Sequence, residues 1–384
     1  MWLPYRLTQL LPSRARVRKA WYSSPLFRSE RELKRRWTIV RGNHSQQVEH
    51  AAQPAVTLCR IIGNDLFPRQ QRGQAVANLK TILQRESNPH EWKKLFILNR
   101  FIDVDLQREA VELIRQAGHT CDVIGFESDV YRSLRYRPEI FGGLDYFVSS
   151  EFKAKDPFCQ DRERIWACGE KIRYLMNINS ARNHALALGR AASDWTFVLD
   201  GSCFLPRPVF EALQSDLSSS PGVPYLIVPM RRQAEACALE QVDVTPTNRE
   251  EPQIAFRSDS VEQFDEAYPY GVRDKTSLLN RLGVPGAWCG WTPLPWYREP
   301  ESRSTDRYRF KYASSSVLRL TSGVNNGALE LPSAQMQRYR SRIQAIFSTL
   351  LMVDRKCQSP DSALLPLIAD LPLELTQKAD SYQL

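Results

Sequence analysis

From Val56 to Phe126 the chain repeats one pattern: a short apolar run, a polar turn, then a segment with helical periodicity. The run Val56-Thr57-Leu58-Cys59-Arg60-Ile61-Ile62 closes in Gly63-Asn64-Asp65, as a buried parallel strand with its turn does. Val76, Leu79, Ile82 and Leu83 then recur at helical spacing. Leu95 to Leu98 and Cys121 to Phe126 supply the second and third runs. Between them Leu106, Ala110, Leu113, Ile114 and Ala117 trace a helix closed by Gly118. Parallel strands need long crossover connections, so this alternation predicts an α/β fold: a single, Rossmann-like, mostly parallel sheet flanked by helices.

Residues 127–173 break the pattern with irregular, aromatic and charged sequence, expected to be a functional insertion. A helix over 178–190 and a strand over 196–200 follow. Pro206 and Pro208 start a helix bearing Val209, Phe210 and Leu213. Tyr225 to Met230 is another strand. Residues 231–312 are less regular and rich in Trp, Tyr, Arg and Pro. Met336, Tyr339, Ile343, Ile346, Phe347 and Leu350 mark an amphipathic helix packed on the body, and the chain beyond Pro360 reads as an extended or weakly helical tail.

The net charge of +9 suggests nucleic acid until its distribution is considered. Residues 1–41 carry eleven Lys and Arg against Glu30 and Glu32 alone, which accounts for the whole excess. The body is therefore balanced, and a nucleic-acid partner is not expected. The basic arm suits either a solvated or packed tail or peripheral contact with an anionic membrane. Eight cysteines form no Cys-x-x-Cys pair and histidines number five, so a structural zinc site is not expected and a reducing compartment is. No run reaches the ~18 apolar residues of a membrane span, and Met1 to Arg6 lacks a signal-peptide core. A cytoplasmic protein is predicted, with the arm suited to the inner membrane face. Phosphate-loop, dinucleotide-binding and Gly-x-Ser-x-Gly motifs are all missing from the sequence.

Chemistry concentrates in Asn179-Ser180-Ala181-Arg182-Asn183-His184 and in Trp195-Thr196-Phe197-Val198-Leu199-Asp200-Gly201-Ser202. The first opens a helix, where free N–H groups and the dipole favour anions. The second is a dry strand that delivers a carboxylate to the end of the sheet, where α/β folds bind ligands. An Ala-Arg-Asn helix followed by a strand ending in an acidic turn resembles GT-A glycosyltransferases, over about residues 55–230. The family's turn is Asp-x-Asp; here its third position is Ser202.

The resemblance implies a nucleotide-diphosphate sugar as donor and a hydroxyl acceptor, in polysaccharide, glycolipid or glycoprotein synthesis. It also implies Mn²⁺ or Mg²⁺ held by Asp200 and Ser202, with the hydroxyl of Ser202 a weak ligand. Arg182 and Asn183 would lie against the nucleotide, and Asp103, after the second strand, would hold the nucleoside with Asn64 and Asp65 nearby. Turn chemistry is the competing role for Asn64, Asp65 and Asp200, and a surface arginine for Arg182. His184 reads as a packing residue. A catalytic base would come from the acceptor side, where Glu251 and Asp265 are the candidates. Trp288 to Tyr297 suits a sugar platform or a Pro-broken core segment. The domains expected are an arm and linker (1–54), a GT-A-like domain (55–330, nucleotide-sugar half 55–230, acceptor half 231–330) and a C-terminal helical extension (331–384). The alternatives are a non-catalytic GT-A-like binding protein and a nucleotidyltransferase.

Overall fold

A computed structural model describes residues 53–232, 244–246, 250–268, 270, 274–286, 304–320 and 332–371. The basic arm, the Trp288–Tyr297 cluster and the end of the tail lie outside the described residues.

The predicted β-α repeat forms. Strands β1 (Val56–Ile62), β2 (Lys93–Asn99) and β3 (Thr120–Ile124) are joined by helices α1 (Gln74–Arg85) and α2 (Val104–Gln116). Every residue of β1 is buried, as a strand covered on both faces requires. That includes Arg60, which pairs with Glu86 at 2.8 Å with both side chains fully excluded from solvent. Lys94 joins the same carboxylate at 3.0 Å, and Leu205 N–H donates to it at 2.9 Å. An apparently apolar strand thus carries a buried charge cluster, in which Arg60 Nε and Nη1 make no hydrogen bond among the described residues.

Helices α3 (Pro157–Ala167), α4 (Gly169–Met176) and α5 (Ile178–Ala192) lead to β4 (Trp195–Asp200). Then come β5 (Cys203–Phe204), α6 (Arg207–Ser218), β6 (Tyr225–Val228), β7 (Met230–Arg232) and β8 (Gln253–Arg257). The chain continues through α7 (Asp274–Leu282), β9 (Phe310–Tyr312), β10 (Val317–Arg319), α8 (Pro332–Lys356) and α9 (Leu365–Ala369). The main sheet has the order β3-β2-β1-β4-β8-β6-β9, with β8 antiparallel to both neighbours and the rest parallel. It is the mostly parallel sheet flanked by helices that the sequence predicts.

The chain runs outward from β1 to β3 and returns to β4 on the other side of β1. A crevice opens at such a reversal, beyond the carboxyl ends of the strands. Asp200 is the last residue of β4 and lies in register with Ile61 of β1, so it stands at that crevice.

Two expectations change. The run Tyr225 to Met230 is not one strand: Pro229 divides it, and β7 joins a second sheet, β5-β10-β7. The insertion 127–173 is not irregular, being built of the short helices Ser128–Ser133, Leu144–Val148 and Ser150–Lys153 followed by α3. Helices this short show too few turns for a period to be visible. With α8 and α9 they enclose one apolar cluster that includes Tyr131, Phe152, Ile172, Ile346 and Leu350. The C-terminal helix therefore packs on the body as predicted. Among the described residues no helix is long and apolar enough to cross a membrane.

Candidate functional site

The Asp-Gly-Ser turn is held from two sides. A Cβ on Gly201 would lie 2.6 Å from the carbonyl oxygen of Ile61, so only glycine lets the turn cross β1. Gly201→Ala is expected to cost about 1–3 kcal/mol by forcing β1 and β4 apart, measurable as a lower urea midpoint. On the other side Leu320 N–H donates to the Ser202 carbonyl at 2.8 Å, and Arg319 is the register partner of Cys203. This clamp brings β10 against the turn.

Asp200 is ringed by donors. Arg182 Nη2 donates to Oδ1 at 2.7 Å, and Lys275 Nζ and Gln253 Nε2 each approach Oδ2 at 3.4 Å. Arg182 is itself buried, steadied by Asn179 Oδ1 at 2.9 Å and by the ring of Phe264 at 5.2 Å. Burial alone would push the Asp200 carboxyl up. Lys275, Arg182 and Arg319 outweigh it and hold the carboxyl well below the usual range. Burial likewise works against the charge of Arg319, and the field of Asp200 and neighbouring carboxylates more than offsets it.

This donor set does not fit a divalent ion held by Asp200 and Ser202. Hard cations want several oxygen ligands, whereas here one carboxylate accepts from three side chains and three cations stand round it. Among the described residues, no three His, Cys, Asp or Glu side chains come together as a ligand group.

The other predicted residues fall into two groups. Asn183 accepts from Phe264 N–H at 2.9 Å and donates to Glu266 Oε1 at 2.8 Å. With Asn179, which donates to the Asp265 carbonyl at 2.7 Å, it fastens loop 264–266 to α5. The Asp265 carboxylate accepts from Ala267 N–H at 2.9 Å, a turn contact. Glu251 lies two residues before Gln253, at the rim of Asp200, and is among the carboxylates acting on Arg319. The second group sits at the ends of β1 and β2. Asn64 bridges to the Arg100 carbonyl (2.7 Å) and the Ile102 N–H (2.8 Å). Asp65 accepts from Ala75 N–H at 2.9 Å, and burial raises its pKa to about 6. Asp103 caps α2 at 3.1 Å and pairs with Arg72 at 2.7 Å. Asn64 and Asp65 thus carry the turn contacts that competed with a ligand role, and Asp103 carries a helix cap not expected from the sequence. His184 pairs with Asp122 at 2.5 Å, away from Asp200's ring of partners.

Lys275, Arg319 and Gln253 were not among the predicted site residues. Gln253 and Lys275 lie in the stretch read as less regular, Arg319 lies just beyond it, and none has a motif around it. A charged residue inside a short apolar run, Ser316-Val317-Leu318-Arg319-Leu320, is the one available signal, and it marks Arg319 alone.

No protein-family model and no curated protein sequence matches the chain. Among solved structures it is similar to the mannosyltransferase PcManGT from Pyrobaculum calidifontis, in complex with GDP-Man and Mn²⁺, at 11% identity and a TM-score of 0.36, over 96% of this chain and 84% of that one. It is also similar to S. aureus TarS, residues 1–349, at 9% identity and a TM-score of 0.30, over 85% and 71%. A third is GalNAc-T7 with UDP, GalNAc and Mn²⁺, at 10% identity and a TM-score of 0.34, over 85% of this chain and 55% of that one.

Proposed function

We propose that this chain is a glycosyltransferase that moves a sugar from a nucleotide-diphosphate donor to a hydroxyl acceptor. The observation that carries this reading is a half-buried carboxylate, Asp200, at the topological switch point of a GT-A-like sheet, with Arg182, Lys275 and Arg319 gathered round it. Such a crevice suits a ligand with concentrated negative charge. The diphosphate lies against these cations. The nucleoside points toward the ends of β1 and β2, where Asn64, Asp65 and Asp103 shape the rim. Glu251, at the opposite rim, is the candidate base for the acceptor hydroxyl. Asp265, whose loop is tied down by Asn179 and Asn183, is the second.

The test is a thermal-shift panel of UDP-, GDP-, dTDP- and CMP-sugars with the full chain, with and without Mn²⁺, the ion that the resemblance implies. A ligand at 100 times its Kd stabilises by about 2.7 kcal/mol, which is readily seen. Stabilisation by one diphosphate sugar is expected. No shift with any of them would remove the donor site. Binding with no transfer to any hydroxyl acceptor would favour the non-catalytic alternative.

A further inference from the structure

We infer that the chain grips the donor diphosphate with fixed side-chain cations, chiefly Lys275 and Arg319 beside Arg182, where a divalent ion would otherwise bridge it to two carboxylates. This rests on the donor-binding reading above and concerns how that same site handles charge.

Four observations support it. Both oxygens of Asp200 already accept from side chains, Arg182 at 2.7 Å and Lys275 and Gln253 at 3.4 Å. Lys275 is only 3% exposed, yet it stands in the first turn of α7, where the helix dipole disfavours a cation. One long, shared contact to Asp200 is modest compensation for a buried ammonium. Third, Arg319 and Arg232 are direct register partners on β10 and β7, a like-charge pairing that destabilises a sheet. Half-buried Arg69 feels both: burial first, and then the nearby Arg342, Arg319 and Arg232 charges, bring its pKa down to about 10. Finally, the Arg319 Nε is buried with no hydrogen-bond partner among the described residues.

Among the described residues the cations gathered here outnumber the carboxylates. Arg182, Arg232, Lys275 and Arg319, with Arg69 in the field of Arg319 and Arg232, stand against Asp200, Glu250 and Glu251, and Glu250 is already taken by Arg232 at 2.9 Å. A diphosphate supplies the missing negative charge. Ser202 fits this arrangement, because a second carboxylate beside Arg319 would compete with the donor for the same cations. Asp200 then acts as a positioning residue that keeps mutually repelling side chains together. During transfer the bond from the anomeric carbon to the diphosphate oxygen breaks, and its electron pair stays on that oxygen. The acceptor oxygen forms the new bond to carbon, and its proton passes to a carboxylate, Glu251 in this reading. Lys275, Arg182 and Arg319 offset the charge gathering on the departing diphosphate.

Calorimetric titration of the full chain with UDP, GDP and inorganic pyrophosphate, each in EDTA and in Mn²⁺, tests this. The expected result is binding of at least one nucleoside diphosphate with Kd values within about twofold in the two conditions, weakening with added salt. Lys275→Met is expected to weaken binding about 10- to 100-fold, with Lys275→Arg recovering much of the loss. Binding that needs Mn²⁺ and disappears in EDTA overturns the inference while leaving the donor site intact. Unchanged affinity in a folded Lys275→Met protein also overturns it. Absence of binding in both conditions overturns this and the donor-binding reading together. Should Lys275→Met not fold, Ser202→Asp serves instead: weaker binding in EDTA is expected, and unchanged binding in EDTA counts against the cation grip.

Discussion

Asparagine at position 200 is expected to slow sugar transfer about 100-fold, with a smaller effect on donor affinity. The amide keeps the size of the side chain but removes the charge that holds Arg182, Lys275 and Arg319 together. Freed from Asp200, the three cations separate under their own repulsion, and displacement of catalytic groups by about 1 Å is enough to cost 10²-fold. The measurement is initial rates for Asp200→Asn and wild type, using the donor identified by the nucleotide panel and a range of donor concentrations. A drop in kcat with little change in KM is the expected signature. A change confined to KM would place Asp200 in ground-state binding instead. Full activity would remove it from the site.

Asp354→Ala is expected to be the most destabilising single change away from the site, by about 3–5 kcal/mol. Asp354 is fully buried at the centre of a network that ties α8 to the inserted helices. Its carboxylate accepts from Lys171 at 2.6 Å, Tyr131 at 2.9 Å and Tyr136 at 2.5 Å. The Lys171 ammonium also meets Ser359 Oγ at 2.5 Å and lies 4.4 Å from the Tyr136 ring. Removing the carboxylate leaves a buried ammonium without its counter-charge and two phenols without an acceptor. Urea unfolding of the variant checks this, and a shift below about 1 kcal/mol would mean that water replaces the carboxylate. The double change Asp354→Leu with Lys171→Met is expected to recover part of the loss, since a well-packed apolar pair avoids the desolvation of both ions.

Legibility in the sequence followed the length and regularity of the elements. The first three strands, the helix that begins at Ile178 and the strand ending in Asp200 all stood out, because the strands are apolar runs bounded by polar or turn residues and the helices between them repeat period 3.6. Strand β8, helix α7 and the three-residue strands β9 and β10 did not, because so few residues carry no period. Those elements supply Gln253, Lys275 and Arg319. Three of the four partners of Asp200 therefore come from segments whose local sequence has no pattern to read. The buried pair Arg60–Glu86 shows the same limit from the other side. An arginine in an apolar run looks like an interruption until the end of α1 brings a carboxylate 2.8 Å away.

The sequence alone determined the α/β alternation, the carboxylate at the end of a dry strand and the Ala-Arg-Asn helix before it, because each is a local pattern of burial and turn chemistry. Only the tertiary structure decided the electrostatics of that carboxylate. Residues 75 and 119 positions further along the chain are folded against the turn at 200, as Lys275 and Arg319. Charge balance depends on distance through space, and it is this long-range convergence that makes Asp200 the centre of a cation cluster.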